Sequence, residues 1–167
     1  MKIPALAKAG AGGLHIKIDL DIFKDGGTKM NEYRDWREKM QEKFNKFPIG
    51  AAYSDKQLHE EMDRLGVKST DELVQLEYGT FIRKSDKKAY LDLAEEIDSS
   101  FEKGLKDYDF VYDMFLTELA DHEYCITGDL RETLDACGLA IDDIAKNAMY
   151  REALKAAKEE YFKNVIY

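Results

Sequence analysis

Apolar and polar residues alternate without a break from Leu14 to Ile22, in Leu-His-Ile-Lys-Ile-Asp-Leu-Asp-Ile. A period of two over this length predicts a β-strand that buries Leu14, Ile16, Ile18, Leu20 and Ile22 on one face. Asp25-Gly26-Gly27 ends it as a turn. From about Thr28 to Lys46 the period changes. Tyr33, Trp36, Met40, Phe44 and Phe47 recur at steps of three and four, which predicts an amphipathic helix that Phe47-Pro48-Ile49-Gly50 breaks.

The remainder reads as helices with short breaks. Ser54 with Gln57 forms a capping box ahead of Leu58, Met62 and Leu65, and Gly66 stops that helix. Ser69 with Glu72 predicts a second box, opening a short helix to about Leu76. Tyr78 to Arg83 is short, β-branched and aromatic, and is expected to pair as a strand with the N-terminal one. Ser85 is expected to cap a long helix to about Lys106, with Tyr90, Leu93, Ile97, Phe101 and Leu105 facing inward. The next helix carries Val111, Met114, Phe115, Leu119 and His122 on one side. Asp129 with Glu132 predicts a third capping box before Leu130, Leu134 and Cys137, with Gly138 as the stop. One last helix is predicted from about Ile141 towards Val165.

These elements predict an α+β fold, mainly α: a helical, bundle-like domain with a small β element near the N-terminus. A chain of 167 residues suits one domain. Within it, residues 1–48 read as an N-terminal strand-and-helix addition and 49–167 as an acidic helical core.

Charge sharpens this division. The chain has a net charge of −9, yet residues 1–50 hold ten basic and seven acidic residues. Between Asp92 and Asp143 there are sixteen acids and three bases, so nearly all the excess acidity lies in one third of the chain. Such a field repels nucleic acid and attracts basic surfaces. The densest basic run, Arg83-Lys84-Ser85-Asp86-Lys87-Lys88, is diluted by nearby acids and reads as a solvated helix entrance. Cys125 and Cys137 are expected to be reduced, packed thiols, because the N-terminus lacks a signal-peptide apolar core. No apolar run reaches the ~18 residues of a membrane span, so the expected location is the cytoplasm.

Chemistry concentrates in Glu118-Leu119-Ala120-Asp121-His122-Glu123-Tyr124-Cys125. Glu118 and His122, four apart, share a helix face. Glu, Asp, His and Cys are metal-ligand types, but the two-histidine zinc spacing is missing. The simpler reading is structural: Glu118 accepts a hydrogen bond from His122, with Glu123 and Tyr124 at a helix end. No Ser, Cys or His stands in a recognisable nucleophile setting, and Ala9-Gly10-Ala11-Gly12-Gly13 lacks the Lys-Ser/Thr ending of a phosphate loop. A non-catalytic protein without cofactor or metal is expected.

Three segments carry a resemblance. The first is Ala52-Tyr53-Ser54-Asp55-Lys56-Gln57-Leu58-His59-Glu60-Glu61 followed by Leu65-Gly66, and the second is Gly79 to Asp86. The third is Glu118 to Thr127 followed by Leu134-Asp135-Ala136-Cys137-Gly138-Leu139. In order and spacing, across about residues 49–140, they resemble an uncharacterised family of small phage and plasmid proteins from mobile elements of Gram-positive bacteria. The family pattern often has Asn where Asp121 stands. The resemblance implies a mobile-element context rather than an activity. Small acidic proteins of that context often bind host or defence proteins.

Together these readings point to a phage protein whose acidic region occupies a basic nucleic-acid-binding surface of a host protein. It would act as a nucleic-acid mimic and anti-defence inhibitor, for instance of a CRISPR nuclease. The expected contacts are Glu95, Glu96, Asp98, Glu102, Asp109 and Asp113, which lie off the apolar stripes. Two other classes stay open. One is a metal-dependent or other enzyme centred on Glu118, His122 and Glu123. The other is a structural or regulatory accessory that forms a homodimer through the edge of its N-terminal strand.

Overall fold

The computed structural model describes residues 31–164. The expected strand at 14–22 and the glycine-rich run before it lie outside the described residues. The described chain is mainly helical, with a small antiparallel sheet of three strands. No helix among the described residues is long and apolar enough to cross a membrane.

Two compact units make up the described chain. One takes residues 31–40 and 97–164, the other Gln41–Glu96. Helix α1 (Glu32–Asn45) and, later in the chain, helix α3 (Lys87–Gly104) contribute residues to both.

In the Gln41–Glu96 unit, strand β1 (Gly50–Ala51) leads into helix α2 (Asp55–Leu65). The Ser54 side chain accepts from Gln57 N at 3.3 Å. The reciprocal partner differs from a strict capping box, because Gln57 Oε1 accepts from Tyr53 N, one residue before the cap. At the other end Gly66 adopts φ 72° and ψ 28°, its N–H reaches Asp63 O, and Val67 N reaches Met62 O. This left-handed stop is what glycine allows without a Cβ penalty. Strand β2 (Leu73–Gln75) and strand β3 (Thr80–Arg83) follow, and β3 is central, pairing with β1 and β2 on either side. Val74 lies opposite Ile82, and Gly50 opposite Phe81. Met62, Leu65, Val67 and Phe81 bury a small core here.

In the other unit helix α4 (Tyr108–Asp121) is central. Val111, Met114, Phe115 and Leu119 are fully buried along it. Asp107 caps it by accepting from Asp109 N and Phe110 N. Helix α5 (Tyr124–Thr127), helix α6 (Arg131–Ala136) and helix α7 (Ile141–Lys146) are short, and helix α8 (Ala148–Asn164) is long. The main partner of α4 is α8. Ala153 and Ala157, one turn apart and buried, present the small side chains that allow this close approach. Tyr33 and Trp36 enter the same core beside Phe101 and Phe110, with Trp36 Nε1 donating to Ser100 Oγ at 2.9 Å.

Four expected elements take another form. Ser69 and Glu72 do make their capping box, but it holds one 3₁₀ turn, and the chain then continues as β2 rather than as helix. Leu73 and Val74 satisfy their backbone across β3 instead. Ser85 sits inside a 3₁₀ turn (Lys84–Asp86) ahead of α3 and caps nothing there; its hydroxyl donates to Asp86. Asp129 accepts from Arg131 N at 2.9 Å, a two-residue Asx turn, so Glu132 closes no box. The last helix is two helices. Asn147 breaks it with an extended backbone, and its Oδ1 accepts from Met149 N and Tyr150 N to start α8.

Candidate functional site

Helix α4 carries more buried polarity than a core helix usually does. Asp113, Thr117 and Glu118 are all buried, Glu118 to 2 % exposure. Burying a carboxylate is costly unless it is paired and hydrogen-bonded. The start of α1 supplies the partners. Asp113 Oδ2 accepts from Glu32 N at 2.8 Å, at the end of α1 where backbone N–H groups lack helical partners. Asn31 Nδ2 donates to Thr117 Oγ1 at 3.4 Å. The Tyr33 hydroxyl donates to Glu118 Oε1 at 2.6 Å, and Arg37 Nη1 donates to the same oxygen at 3.0 Å. Arg37 Nη1 also reaches Asp121 Oδ2 at 2.7 Å. Tyr33 and Arg37 are one helical turn apart, as are Glu118 and His122, so two helix faces meet through one carboxylate.

His122 completes the cluster. Its Nε2 is 3.4 Å from Glu118 Oε2, and its Nδ1 is 3.9 Å from Glu132 Oε2, beyond hydrogen-bond range. The half-buried His122 is raised above the ordinary imidazole range, chiefly by its contact with Glu118. Burial pushes Glu118 upward, but the contacts with His122 and Tyr33 and the charge on Arg37 outweigh it and hold the carboxyl below its usual value. Burial and the Glu118 charge push the Tyr33 phenol up, so it stays a donor. The expected Glu118–His122 pair is therefore present, within a larger set.

Glu123 follows with φ 47° and ψ 43°, a left-handed backbone uncommon for a residue with a side chain. It turns the chain from α4 into α5. Tyr124 is buried, with ring-centroid distances of 6.4 Å to Tyr161 and 5.8 Å to Phe162, and the Lys158 ammonium lies 4.7 Å over its ring. No three His, Cys, Asp or Glu side chains among the described residues gather as a metal site would require.

The six expected contact carboxylates do not share one environment. Glu95, Glu96 and Glu102 are exposed on α3, with Glu96 paired to Lys43. Asp98 and Asp109 are half-buried. Asp113 must be removed from the set: at 7 % exposure it faces inward and holds the start of α1. Sequence reasoning also missed Tyr33 and Arg37 as partners of Glu118. Their four-residue spacing on a predicted helix was visible, but their partner 81 to 85 positions away was not.

Fold and site together define a small, mainly helical α+β protein organised around a buried carboxylate. The chain belongs to DUF7659, a family of unknown function, whose model matches residues 32–160. That match takes in α1, which the charge pattern groups with the N-terminal addition; the bonds of Tyr33 and Arg37 to Glu118 show why it belongs with the rest. Comparison with curated proteins and with solved structures gives no match.

Proposed function

We propose that this chain is a non-catalytic, cytoplasmic interaction protein of a phage or other mobile element, which binds a basic macromolecular surface of a host protein through exposed carboxylates. An anti-defence role, in which those carboxylates stand in for nucleic-acid phosphates, is the form of this function we favour. The observation that carries it is how the acidic residues sort. Asp113 and Glu118 are held inside by hydrogen bonds, whereas Glu95 and Glu102, two turns apart on α3, are exposed. They lie in a stretch with sixteen acids and three bases, whose field steers a basic partner.

The test is a charge reversal of Glu95→Lys, Glu96→Lys and Glu102→Lys in one chain. Infection assays in cells carrying a nuclease-based defence supply the readout, beside capture of the nuclease at low and high salt. The parent should protect the phage and hold the nuclease less tightly as salt rises. The folded triple variant should do neither. If the variant protects and binds as the parent does, the acidic residues serve solubility alone and this reading fails.

A further inference from the structure

Beside α8 lies a groove of about 440 Å³ whose surroundings run against the charge of the chain. Buried Ile144 and Leu154 and the half-exposed ring of Phe162 line it with apolar surface. Arg151, Lys155 and Lys158 line it too, at positions i, i+4 and i+7 of α8, so they form one row. At 1.5 Å per residue the row is about 10 Å long. The Lys155 side chain is 80 % exposed, with its Nζ 3.8 Å from Glu159 Oε1, the one acid in the lining. Arg151 Nη1 donates to Ala145 O, and Lys158 covers the Tyr124 ring.

We infer that this groove docks an acidic amphipathic helix from a partner protein. Apolar side chains of that helix would seat on Ile144, Leu154 and Phe162, and its carboxylates would meet the cationic row. The charge complementarity is specific in its spacing. Three cations at the helical repeat match carboxylates three and four residues apart on a facing helix, which can present apolar anchors beside them. A single-headed amphiphile would engage only one of the three cations. The inference is independent of the acidic-face reading, since it uses other residues and the opposite charge.

The probe is a displayed library of random helical peptides, selected on the full chain. Enriched peptides should carry Asp or Glu at helical spacing next to Leu, Ile or Phe. Their affinity should fall about tenfold or more in an Arg151→Ala, Lys155→Glu double variant. It should fall less in Lys155→Ala, which removes one charge and disturbs no backbone contact. Glu95→Lys with Glu102→Lys should leave it unchanged, which separates failure here from failure of the acidic-face reading. Circular dichroism and melting of each variant check that it is folded. Enrichment of neutral or basic peptides, no enrichment, or undiminished affinity in both folded groove variants overturns the inference. So does sedimentation showing a dimer that Lys155→Ala dissociates, because a second copy would then be the occupant.

Discussion

Tyr33 and Glu118, 85 positions apart, are joined by a hydroxyl-to-carboxylate hydrogen bond of 2.6 Å in a buried setting. Replacing Tyr33 with Phe keeps the ring between Trp36 and Phe110 and removes only the donor. Glu118 keeps Arg37 and His122 but loses its shortest partner. Leaving a buried charged acceptor less satisfied costs about 1–3 kcal/mol. Urea unfolding should show this loss, with an unchanged m-value. A Tyr33→Phe variant as stable as the parent would mean that the bond contributes nothing.

The Glu118–His122 contact makes stability depend on pH in a definite direction. His122 is raised in the folded state, so its contribution is complete below its ordinary value of 6.5 and is lost as pH rises through the folded value. Glu118 is lowered, so its contribution is complete above 4.5 and is lost as pH falls through the folded value. The pair should therefore stabilise most between about 4.5 and 6.5. Asp121, Glu132 and Arg37 also face this group and modulate it. Melting temperatures of the parent and His122→Ala, taken across pH, should differ most inside that window and converge above it. A difference that goes on growing as pH rises above 6.5 would be the wrong sign.

Thr133 is fully buried and its hydroxyl has no hydrogen-bond partner among the described residues. A buried hydroxyl without a partner costs about 1–3 kcal/mol on protein scales. Thr133→Val has nearly the same shape and no such group, so thermal melting should show it equal to the parent or more stable. A clear fall in the melting temperature would mean that the hydroxyl is satisfied after all.

Gly104 meets the core through its lack of a side chain. A Cβ there would stand 2.6 Å from the buried Phe110 ring. Helix propensity favours alanine over glycine by ~1 kcal/mol, but overpacking costs ~1–3 kcal/mol. Gly104→Ala should therefore be neutral to destabilising by up to ~2 kcal/mol, measured by chemical denaturation. A clearly stabilised variant would show that Phe110 yields freely.

Cys137 is 1 % exposed, and burial pushes its thiol well above the usual range. Because the thiolate is the reactive form, a thiol reagent should reach Cys137 only on unfolding, while half-buried Cys125 reacts earlier. Two equally fast thiols in the native protein would contradict the burial of Cys137.

How far the sequence could be read depended on whether an element had one partner or several. Helix α1 was legible because Tyr33, Trp36 and Met40 recur on one face at steps of three and four, and Tyr33 and Met40 are buried there. Helix α4 was located correctly, but the same stripe logic placed Asp113 outside. That logic assumes a solvated back face, and α4 is packed on more than one side, leaving Asp113 at 7 % exposure. The Ser69–Glu72 box was a true local signal with the wrong extension, because pairing of Leu73 to Gln75 with β3 is a long-range event. Asn147 carried a readable signal, a strong N-cap residue inside an otherwise unbroken apolar period, and the period hid it.

The left-handed stop at Gly66 is surrounded by open space, since a Cβ there would meet nothing within 4 Å. The exclusion of other residues is thus a matter of chirality rather than room. A D-alanine placed there by chemical ligation would fit the native backbone and narrow the unfolded ensemble, stabilising by about 0.4–1 kcal/mol, whereas L-alanine would weaken the same turn. Mirror-image substitution could in this way strengthen the end of α2 without adding a contact.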